Sequence, residues 1–222
     1  MIDGENILLD TNVCVGTWCT GGGDATDLAR VAENVIAQKI PIVSMLPENV
    51  ATVWPWLENR GVKIYARLYL GADVADITQK INTVFKRGAD GVQLFVRFSD
   101  LADFVSQMHL IRDDLFFNKD LFIGIDIDEI GPFDWPVLFG LLKKIRADGL
   151  ILALTHDNGD DSDFVGRVYA MLGVIENNFD GMIHFATGLT TSRIDQVARL
   201  VHLIAPDYLS RTMFFISSVG RG

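Results

Sequence analysis

Polar residues that could do chemistry recur at every second position within several apolar runs of this sequence. Arg67 and Arg97 each lie in such a run, and Asp126 and Asp128 alternate with isoleucines in another. Side chains two positions apart on a strand project from the same face, so the two carboxylates should lie close together. The planar fork of an arginine suits a substrate carboxylate or phosphate. These four residues therefore predict a site for an anionic substrate.

The Asp126–Asp128 pair is compatible with three roles. Hard carboxylate oxygens suit Mg²⁺ or Mn²⁺, with waters completing the coordination. Two close carboxylates also raise the pKa of one of them, which can then take a proton from a carbon next to a carbonyl. The third role is a structural ion pair with Arg67 or Arg97. For the whole set of charges a functional site is favoured, because each buried ion costs several kcal/mol and apolar residues would serve stability as well.

Two histidines are further candidates for acid–base work. His156 ends the sixth predicted strand, in Leu154-Thr155-His156-Asp157-Asn158, and a histidine beside an aspartate is a common acid–base arrangement. The alternative for His156 is a solvent-facing loop position. His184 lies in the seventh predicted strand, where alternation turns it inward.

The elements that would position these residues are marked by a repeated Asp-Gly step. Asp90-Gly91, Asp148-Gly149 and Asp180-Gly181 each follow a segment with helical periodicity and precede an apolar run, and Arg60-Gly61 is a looser copy. Glycine can adopt the left-handed conformation that ends a helix, so each step marks a helix-to-strand boundary. The pattern predicts eight strands, near 6–12, 40–46, 62–70, 91–98, 121–128, 149–156, 181–187 and 212–218.

Seven amphipathic helices fill the intervals, near 24–39, 48–60, 73–88, 100–118, 134–147, 162–178 and 191–210. Strands that alternate with helices imply parallel pairing and an α/β fold. Eight evenly spaced units predict a closed (β/α)8 TIM barrel, with residues 1–222 as a single domain and the eighth helix missing. An open doubly wound sheet is the alternative. The missing helix would leave apolar surface near the eighth and first strands, which a second subunit of a homo-oligomer can cover.

In a barrel, alternate strand residues face the interior and functional residues gather at the C-terminal strand ends. The isoleucines of the fifth strand must face the helices, which turns the residues between them inward. The same rule gives an inward set for five strands: Asp10 and Asn12; Tyr65, Arg67 and Tyr69; Gln93, Phe95 and Arg97; Gly124, Asp126 and Asp128; Met182, His184 and Ala186. We interpret Asp10, Arg67, Gln93 and Arg97 as substrate-binding residues.

Several absences narrow the chemistry. No lysine lies at the C-terminal end of a predicted strand, which disfavours Schiff-base catalysis. The cysteines, Cys14 and Cys19, are too few for a disulfide framework or a cysteine-only zinc site. Cys19 falls in a glycine-rich segment, residues 17–23, that we interpret as a loop and a lid instead of the site of a nucleophile.

Composition sets the class of protein. The 222 residues are 49% hydrophobic and carry a formal net charge of −10, which predicts a globular chain with a large core. The negative charge repels nucleic-acid phosphates and anionic lipids, and no stretch is long and apolar enough to span a membrane. With two thiols and no basic leader, we expect a cytoplasmic protein without nucleic-acid or membrane partners.

Two segments resemble those of phosphate-binding TIM barrels. Val219-Gly220-Arg221-Gly222 resembles the phosphate loop of orotidine 5'-phosphate decarboxylases, and residues 87–92 are similar to a helix-to-strand step of thiamine-phosphate synthases. The first resemblance implies a phosphate on Gly220 and Arg221, with help from Gly188 in the loop after the seventh strand. The lysine and aspartate array of the decarboxylases is absent, so their activity is not implied.

Residues 124–128, Gly-Ile-Asp-Ile-Asp, are similar to the Asp-Gly-x-Asp-x-Asp-x-Glu strand of family 18 chitinase-like glycosidases. At the position of the acidic glutamate of that family the sequence has Ile130, and its leading aspartate is replaced by Ile123. This similarity implies a relative of the glycoside hydrolases as an alternative.

Together these features predict an enzyme that acts on a small phosphorylated or carboxylated metabolite by lyase or isomerase chemistry. Its candidate catalytic residues are Asp126, Asp128, His156 and His184, with Asp126 and Asp128 as candidate ligands of Mg²⁺ or Mn²⁺. A non-catalytic TIM-barrel binding or assembly module is the alternative from another class, besides the glycoside hydrolase relative.

Overall fold

The computed structural model describes residues 14–19, 24–71, 74–153, 161–186 and 189–218. In this part of the chain, eight parallel strands close into a barrel in sequence order, and the last pairs with the first. Their bounds are β1 (Cys14–Cys19), β2 (Ile42–Met45), β3 (Lys63–Tyr69), β4 (Gly91–Phe95), β5 (Asp120–Asp126), β6 (Gly149–Ala153), β7 (Met182–Ala186) and β8 (Thr212–Ser218). The predicted (β/α)8 barrel is confirmed.

Helices cover the outside of the barrel. Those of the described residues are α1 (Ala25–Ala37), α2 (Val50–Leu57), α3 (Val74–Lys86), α4 (Phe98–Met108), α5 (Arg112–Leu115), α6 (Trp135–Ile145), α7 (Asp161–Asn178) and α8 (Thr191–Ile204). Short 3-10 turns lie at Pro47–Asn49, Ile127–Glu129 and Pro206–Arg211. Among these elements, no helix has both the length and the apolar character needed to cross a membrane.

Helix α1 shows how local sequence produces these elements. The carboxylate of Asp24 accepts hydrogen bonds from the backbone N–H groups of Thr26 and Asp27, at 2.8 and 3.0 Å, which satisfies donors that the first turn leaves free. Leu28, Ala32 and Val35 then recur at helical spacing and are buried against the strands. The amphipathic helix that the sequence predicts near 24–39 is confirmed.

The first strand lies later in the chain than the sequence predicted. It spans Cys14–Cys19 instead of residues 6–12, and it pairs with β2 and β8. Cys19 is therefore the last residue of a buried strand, and the prediction that residues 17–19 belong to a loop is wrong. Alternation in residues 14–19 places Gly16 and Trp18 on one face, and Trp18 joins the apolar cluster inside the barrel. Asp10 and Asn12 lie outside the described residues.

The Asp-Gly steps have a different cause from the predicted one. Gly91, Gly149 and Gly181 do not have positive φ, so the prediction of a left-handed glycine at these positions is wrong. A Cβ atom on Gly149 would collide with the ring of Phe122, and one on Gly181 with the ring of Phe179. A Cβ atom on Gly91 would lie 2.8 Å from the carbonyl oxygen of Asp120. Glycine is required there by close packing. The left-handed residue that ends α6 is Arg146, with φ of 54°.

The aspartates of these steps bridge neighbouring strands at the N-terminal end of the barrel. The carboxylate of Asp90 accepts from the N–H of Ile64 at 2.9 Å, and that of Asp148 accepts from the N–H of Leu121 at 2.7 Å. Each aspartate also donates its own N–H to the carbonyl of the same partner residue. The repeated Asp therefore fixes the start of one strand to the end of the next helix.

The barrel has an apolar interior that is separate from the larger core between strands and helices. Its buried members are Trp18, Ile42, Tyr65, Phe122, Ile151, Ala186, Met213 and Phe215. The rings fit because glycines face them: a Cβ on Gly16 would lie 2.6 Å from the ring of Phe215. Layers of large and small side chains of this kind fill the centre of a TIM barrel.

The outer face near β8 and β1 follows its prediction in part. No helix follows β8 within the residues that the structure describes. Phe214 and Thr17 are nevertheless buried, and Ile216 is the exposed large apolar residue of β8, at 39%. The predicted exposure of apolar surface near β8 and β1 is therefore confirmed at Ile216, whereas Phe214 and Thr17 do not contribute to it.

Candidate active site at the barrel mouth

Strands β3 and β4 place polar residues inside the barrel, as their alternation predicted. Tyr65 and Phe95 contact the interior cluster, and Arg67 and Gln93 are buried at the inward positions of the same strands. Arg67 is the direct parallel partner of Gln93 across the two strands. The inward orientation of these four residues is confirmed.

Arg67 is the main buried cation of the interior, with 3% of its surface exposed. Its Nη2 donates to the backbone carbonyl of Cys19, at the end of β1. Its guanidinium carbon lies 4.2 Å from the ring centroid of Trp18, which covers one face of the group. Nε and Nη1 have no hydrogen-bond partner among the described residues. Burial lowers the pKa of Arg67 from its usual value, so this site disfavours a cation that lacks an anionic partner.

Gln93 adds a second unsatisfied donor beside Arg67. Its Oε1 accepts from the hydroxyl of Ser44, and the residue is fully buried. Its Nε2 has no partner among the residues that the structure covers. Buried polar atoms are usually hydrogen-bonded, and exceptions call for an explanation.

An open cleft lies directly above these residues at the C-terminal end of the strands. It has a volume of about 660 Å³ and is lined by Tyr69, Leu70, Gly71, Phe95, Val96, Arg97, Asp100, Asp103, Phe104, Gln107, Gly124, Asp126 and Ala153. The rings of Tyr69 and Phe95 stack with centroids 5.3 Å apart. Each follows a buried donor by two residues on the same strand face, so the stacked pair lies one layer, about 6.5 Å, above Arg67 and Gln93.

Arg97 lies on the rim of the cleft and not inside the barrel. Strand β4 ends at Phe95, and Arg97 precedes the first turn of α4. Its side chain is 74% exposed and binds Asp100, with Nε and Nη2 at 2.8 and 2.7 Å from Oδ2. The hydrogen bond from Arg97 lowers the pKa of Asp100. The prediction that Arg97 points inward is wrong; its substrate-binding role stays a prediction.

The two aspartates of β5 are separated by a turn. Asp126 is the last strand residue and lines the cleft, and its Oδ1 accepts from the N–H of Asp128 at 3.0 Å. This bond starts a 3-10 turn in which Ile127 is buried and Asp128 is exposed. Asp128 lies 4.0 Å from Nε of Arg167 on α7. The prediction that Asp128 faces inward beside Asp126 is therefore wrong.

No group of three or more His, Cys, Asp or Glu side chains that could hold a metal occurs among the described residues. Asp126 is the described member of the predicted metal pair that lines the cleft. Binding of Mg²⁺ or Mn²⁺ by Asp126 and Asp128 stays a prediction.

His184 faces inward, as predicted, but lies deep in the barrel. Its ring stacks on Phe122 with centroids 4.3 Å apart and contacts Phe215 at 5.1 Å. Neither ring nitrogen has a hydrogen-bond partner in the described structure. Burial lowers the pKa of His184 to about 3, so the imidazole is neutral at physiological pH. A catalytic role for His184 stays a prediction that this apolar position does not favour.

The remaining site candidates lie outside the described residues: Asp10, His156, Gly188, Gly220 and Arg221. Their predicted roles stay predictions. The lysines can be located completely: Lys39, Lys63, Lys80, Lys86, Lys119, Lys143 and Lys144 lie in helices, just after a helix, or at the N-terminal ends of strands. An amine for a Schiff base is therefore missing from the C-terminal ends of the strands.

Sequence reasoning missed Trp18 and Ser44 as neighbours of the site. Trp18 contacts Arg67, Phe95 and Phe215, which makes it the central ring of the upper barrel. Two-residue alternation from Cys14 to Trp18 was the signal that could have found it. The first strand was assigned instead to the apolar run near residues 6–12.

No protein-family model matches the sequence, and no curated protein matches it either. Solved structures do match the fold. A tetrameric deoxyribose phosphate aldolase from Aeropyrum pernix is 12% identical, with 90% of this chain and 84% of that chain covered and a TM-score of 0.71. A protein described as an aldolase is 9% identical, with 93% and 91% covered and a TM-score of 0.70.

A Rubisco-like protein from Rhodopseudomonas palustris is also similar, at 13% identity, with 95% of this chain and 62% of that chain covered and a TM-score of 0.60. Identities this low establish a shared architecture and leave the activity open. The chain has the (β/α)8 TIM-barrel fold of these proteins.

Proposed function

We propose that this chain is an enzyme that binds a small anionic metabolite, phosphorylated or carboxylated, at the C-terminal mouth of the barrel. The observation that carries the proposal is the buried guanidinium of Arg67, which has two nitrogens without partners and no carboxylate within ion-pair distance among the described residues. A substrate anion is the partner that this group lacks.

The physical argument rests on the cost of a buried, unpaired charge. Removing a cation from water costs several kcal/mol, and an ion pair or hydrogen bonds must offset that cost. An arginine with a purely structural role would be paired, as Arg112 is with Asp148 at 3.1 Å. Buried charged groups that have no partner within the protein, and that a ligand could pair with, are typical of functional sites.

We propose lyase or isomerase chemistry that proceeds through a carbanion or enediolate. Asp126 is placed to move a proton, because it ends β5 and lines the cleft, where TIM-barrel enzymes carry their catalytic residues. Two fold neighbours are aldolases, which supports a lyase. The mouth has no lysine, so the chain would stabilise the intermediate by charge and hydrogen bonds instead of by a Schiff base. A Mg²⁺ or Mn²⁺ ion, if used, would bind Asp126.

The alternative of a non-catalytic assembly module is less well supported. That interpretation expects every inward charge to be paired and the mouth to be closed. Arg67 instead has buried donors without partners, and an accessible cleft lies above the Tyr69–Phe95 pair that covers them. We also propose a cytoplasmic homo-oligomer, for which the tetrameric fold neighbour is the support; light scattering after size-exclusion chromatography tests the assembly.

Thermal unfolding with a panel of small carboxylates and phosphates, with and without Mg²⁺, tests the binding site. A ligand at about 100 times its Kd adds roughly 2.7 kcal/mol, or about 5 to 11 °C in midpoint. The shift should vanish in Arg67→Met and persist in Arg199→Met, a matched change at an exposed arginine. The absence of any shift dependent on Arg67 would overturn the proposal.

Proton exchange separates an enzyme from a binding module. An anion that stabilises the protein should lose the C–H signal next to its carbonyl in D₂O, or be converted, and Asp126→Asn should slow this loss. If an anion binds through Arg67 but is neither exchanged nor converted, the protein is a binding module and the proposal that it is an enzyme is refuted.

A further inference from the structure

We infer that the anion held by Arg67 is a carboxylate and that Gln93 binds it together with Arg67, beneath the stacked rings of Tyr69 and Phe95. The inference rests on the proposed function and narrows its substrate class, which the site described above leaves open between carboxylates and phosphates.

The unsatisfied atoms of this subsite are all donors. Nε and Nη1 of Arg67 and Nε2 of Gln93 carry hydrogens and have no partner among the described residues. The acceptor of Gln93, Oε1, is already occupied by the hydroxyl of Ser44. The two residues are direct partners on adjacent strands and face the same side, so one group that only accepts hydrogen bonds could satisfy the donors of both. An oxyanion has that chemistry.

The charge of the subsite selects among oxyanions. Arg67 supplies one positive charge, and Gln93 is neutral. Arg97, at the rim of the cleft, is exposed and already bound to Asp100, and the cleft also carries the carboxylates of Asp103 and Asp126. The charge of Glu48 acts on Arg67 as well. A carboxylate would leave a neutral pair, whereas a phosphate monoester carries about −1.5 to −2 at pH 7 and would leave uncompensated negative charge in a buried place.

The surroundings of the guanidinium also favour a planar ligand. The ring of Trp18 covers one face of the group at 4.2 Å, and the Cys19 carbonyl holds Nη2. The buried donors without partners, Nε and Nη1, lie on the edge of the guanidinium plane, where a carboxylate can bind coplanar with the fork. Trp18 is a positioning residue for this arrangement.

The rest of the ligand would lie in the cleft, and Phe95 controls the passage to the donors. The Phe95 ring leans into the space that Gly124 leaves open, since a Cβ at Gly124 would lie 2.5 Å from Cδ1 of the ring. Tyr69, stacked on Phe95, completes the floor of the cleft. The carboxylate reaches Arg67 when the Phe95 ring moves aside.

The test compares carboxylates and phosphates of similar size at constant ionic strength. Glycolate, pyruvate and glycerate are titrated against inorganic phosphate and glycerol phosphate, and each Kd is taken from the shift of the unfolding midpoint with concentration. We expect the best carboxylate to bind about tenfold or more tightly than either phosphate. Arg67→Met should abolish the carboxylate shift, and Gln93→Met should weaken it several-fold, while Arg199→Met leaves it unchanged.

Trp18→Phe, which keeps an aromatic face, should retain more carboxylate affinity than Trp18→Leu. Equal retention by both would refute the positioning role.

The outcomes separate this inference from the proposed function. Phosphates that bind as tightly as carboxylates through Arg67 would overturn the carboxylate assignment and leave the anion-binding enzyme intact. A carboxylate shift that survives Arg67→Met would overturn the subsite itself. The absence of a shift dependent on Arg67 with both classes of anion would overturn the inference and the proposed function together.

Discussion

Arg67 and Gln93 lie side by side on neighbouring strands of a closed barrel, and both retain hydrogen-bond donors without partners in the described structure. Their neighbours on the same strand faces, Tyr69 and Phe95, stack above them and form the floor of the cleft. This arrangement gives the unliganded protein a local energetic cost that a bound anion would remove.

Arg67→Met should raise the stability of the unliganded protein. The change removes a buried charge that lacks a carboxylate partner and keeps an unbranched apolar side chain of similar length. Replacing buried charges with apolar residues often stabilises by about 1 to 4 kcal/mol. Urea denaturation of the variant and of Arg199→Met measures the effect. A loss of stability for Arg67→Met would show instead that the arginine is a structural element of the core.

Gly124→Ala should destabilise the protein through Phe95. The added Cβ would lie 2.5 Å from the Phe95 ring, which must then leave its place beside Tyr69. We expect a loss of about 1 to 3 kcal/mol in the free energy of unfolding, typical of overpacking.

Gly140→Ala is the matched control for Gly124→Ala, since a Cβ there meets no atom within 4 Å and α6 should gain about 0.8 to 1 kcal/mol. Combining Gly124→Ala with Phe95→Leu should recover part of the loss, because the shorter side chain can make room. Additive effects of the two changes would contradict the proposed contact.

The stability of the protein should decrease between pH 6.5 and pH 3 because of His184. Its pKa in the folded state is lowered to about 3, from 6.5 in the unfolded chain, so the unfolded state binds the extra proton throughout this range. The group therefore favours unfolding increasingly as the pH falls, by about 2 kcal/mol at pH 5 relative to pH 7.

Denaturation of the wild type and of His184→Gln at both pH values isolates this contribution. The variant should lose less stability than the wild type on going from pH 7 to pH 5. An equal loss in the two proteins would mean that His184 is accessible to protons in the folded state.

Asp148→Asn should destabilise the N-terminal end of the barrel. Asp148 accepts from the N–H of Leu121 at 2.7 Å and pairs with the mostly buried Arg112 at 3.1 Å. Removing the charge leaves Arg112 without its carboxylate, at a cost of about 1 to 3 kcal/mol.

Asp113→Asn is the control, because its pair with Arg146 is exposed on both sides and should be worth less than about 1 kcal/mol. Chemical denaturation of both variants gives the comparison. Similar effects at the two positions would contradict the structural role assigned to the Asp-Gly step.

Sequence alternation correctly placed Arg67, Gln93 and His184 inside the barrel. Strands β3, β4 and β7 are buried on both faces, so a single polar residue within their apolar runs is easy to recognise. Alternation failed where a strand ended early. The side chain of Asp126 accepts a hydrogen bond from the N–H of Asp128. This bond forms a local turn, which competes with extension of the strand. Asp128 therefore leaves the strand, and Arg97 likewise follows the end of β4.

The unsatisfied state of Arg67 was beyond sequence analysis, since it depends on which carboxylates the fold brings near. Alternation predicted several aspartates beside it. In the described structure Asp128 instead lies 4.0 Å from Arg167, and the carboxylate of Asp126 accepts from the N–H of Asp128. Pairing between strands far apart in sequence is a property of the closed barrel, and no local pattern encodes it.

Because the Asp bridges lie at the helix-to-strand steps, the two ends of the barrel should differ in how well they tolerate sequence changes. Asp90 and Asp148 fasten the N-terminal end of the barrel, while the cleft opens at the opposite end. Loops at the mouth can therefore be lengthened, exchanged or redesigned without disrupting the hydrogen bonds of Asp90 and Asp148. The chain should accept grafted mouth loops from other barrels, and it offers a compact scaffold for engineering new specificities.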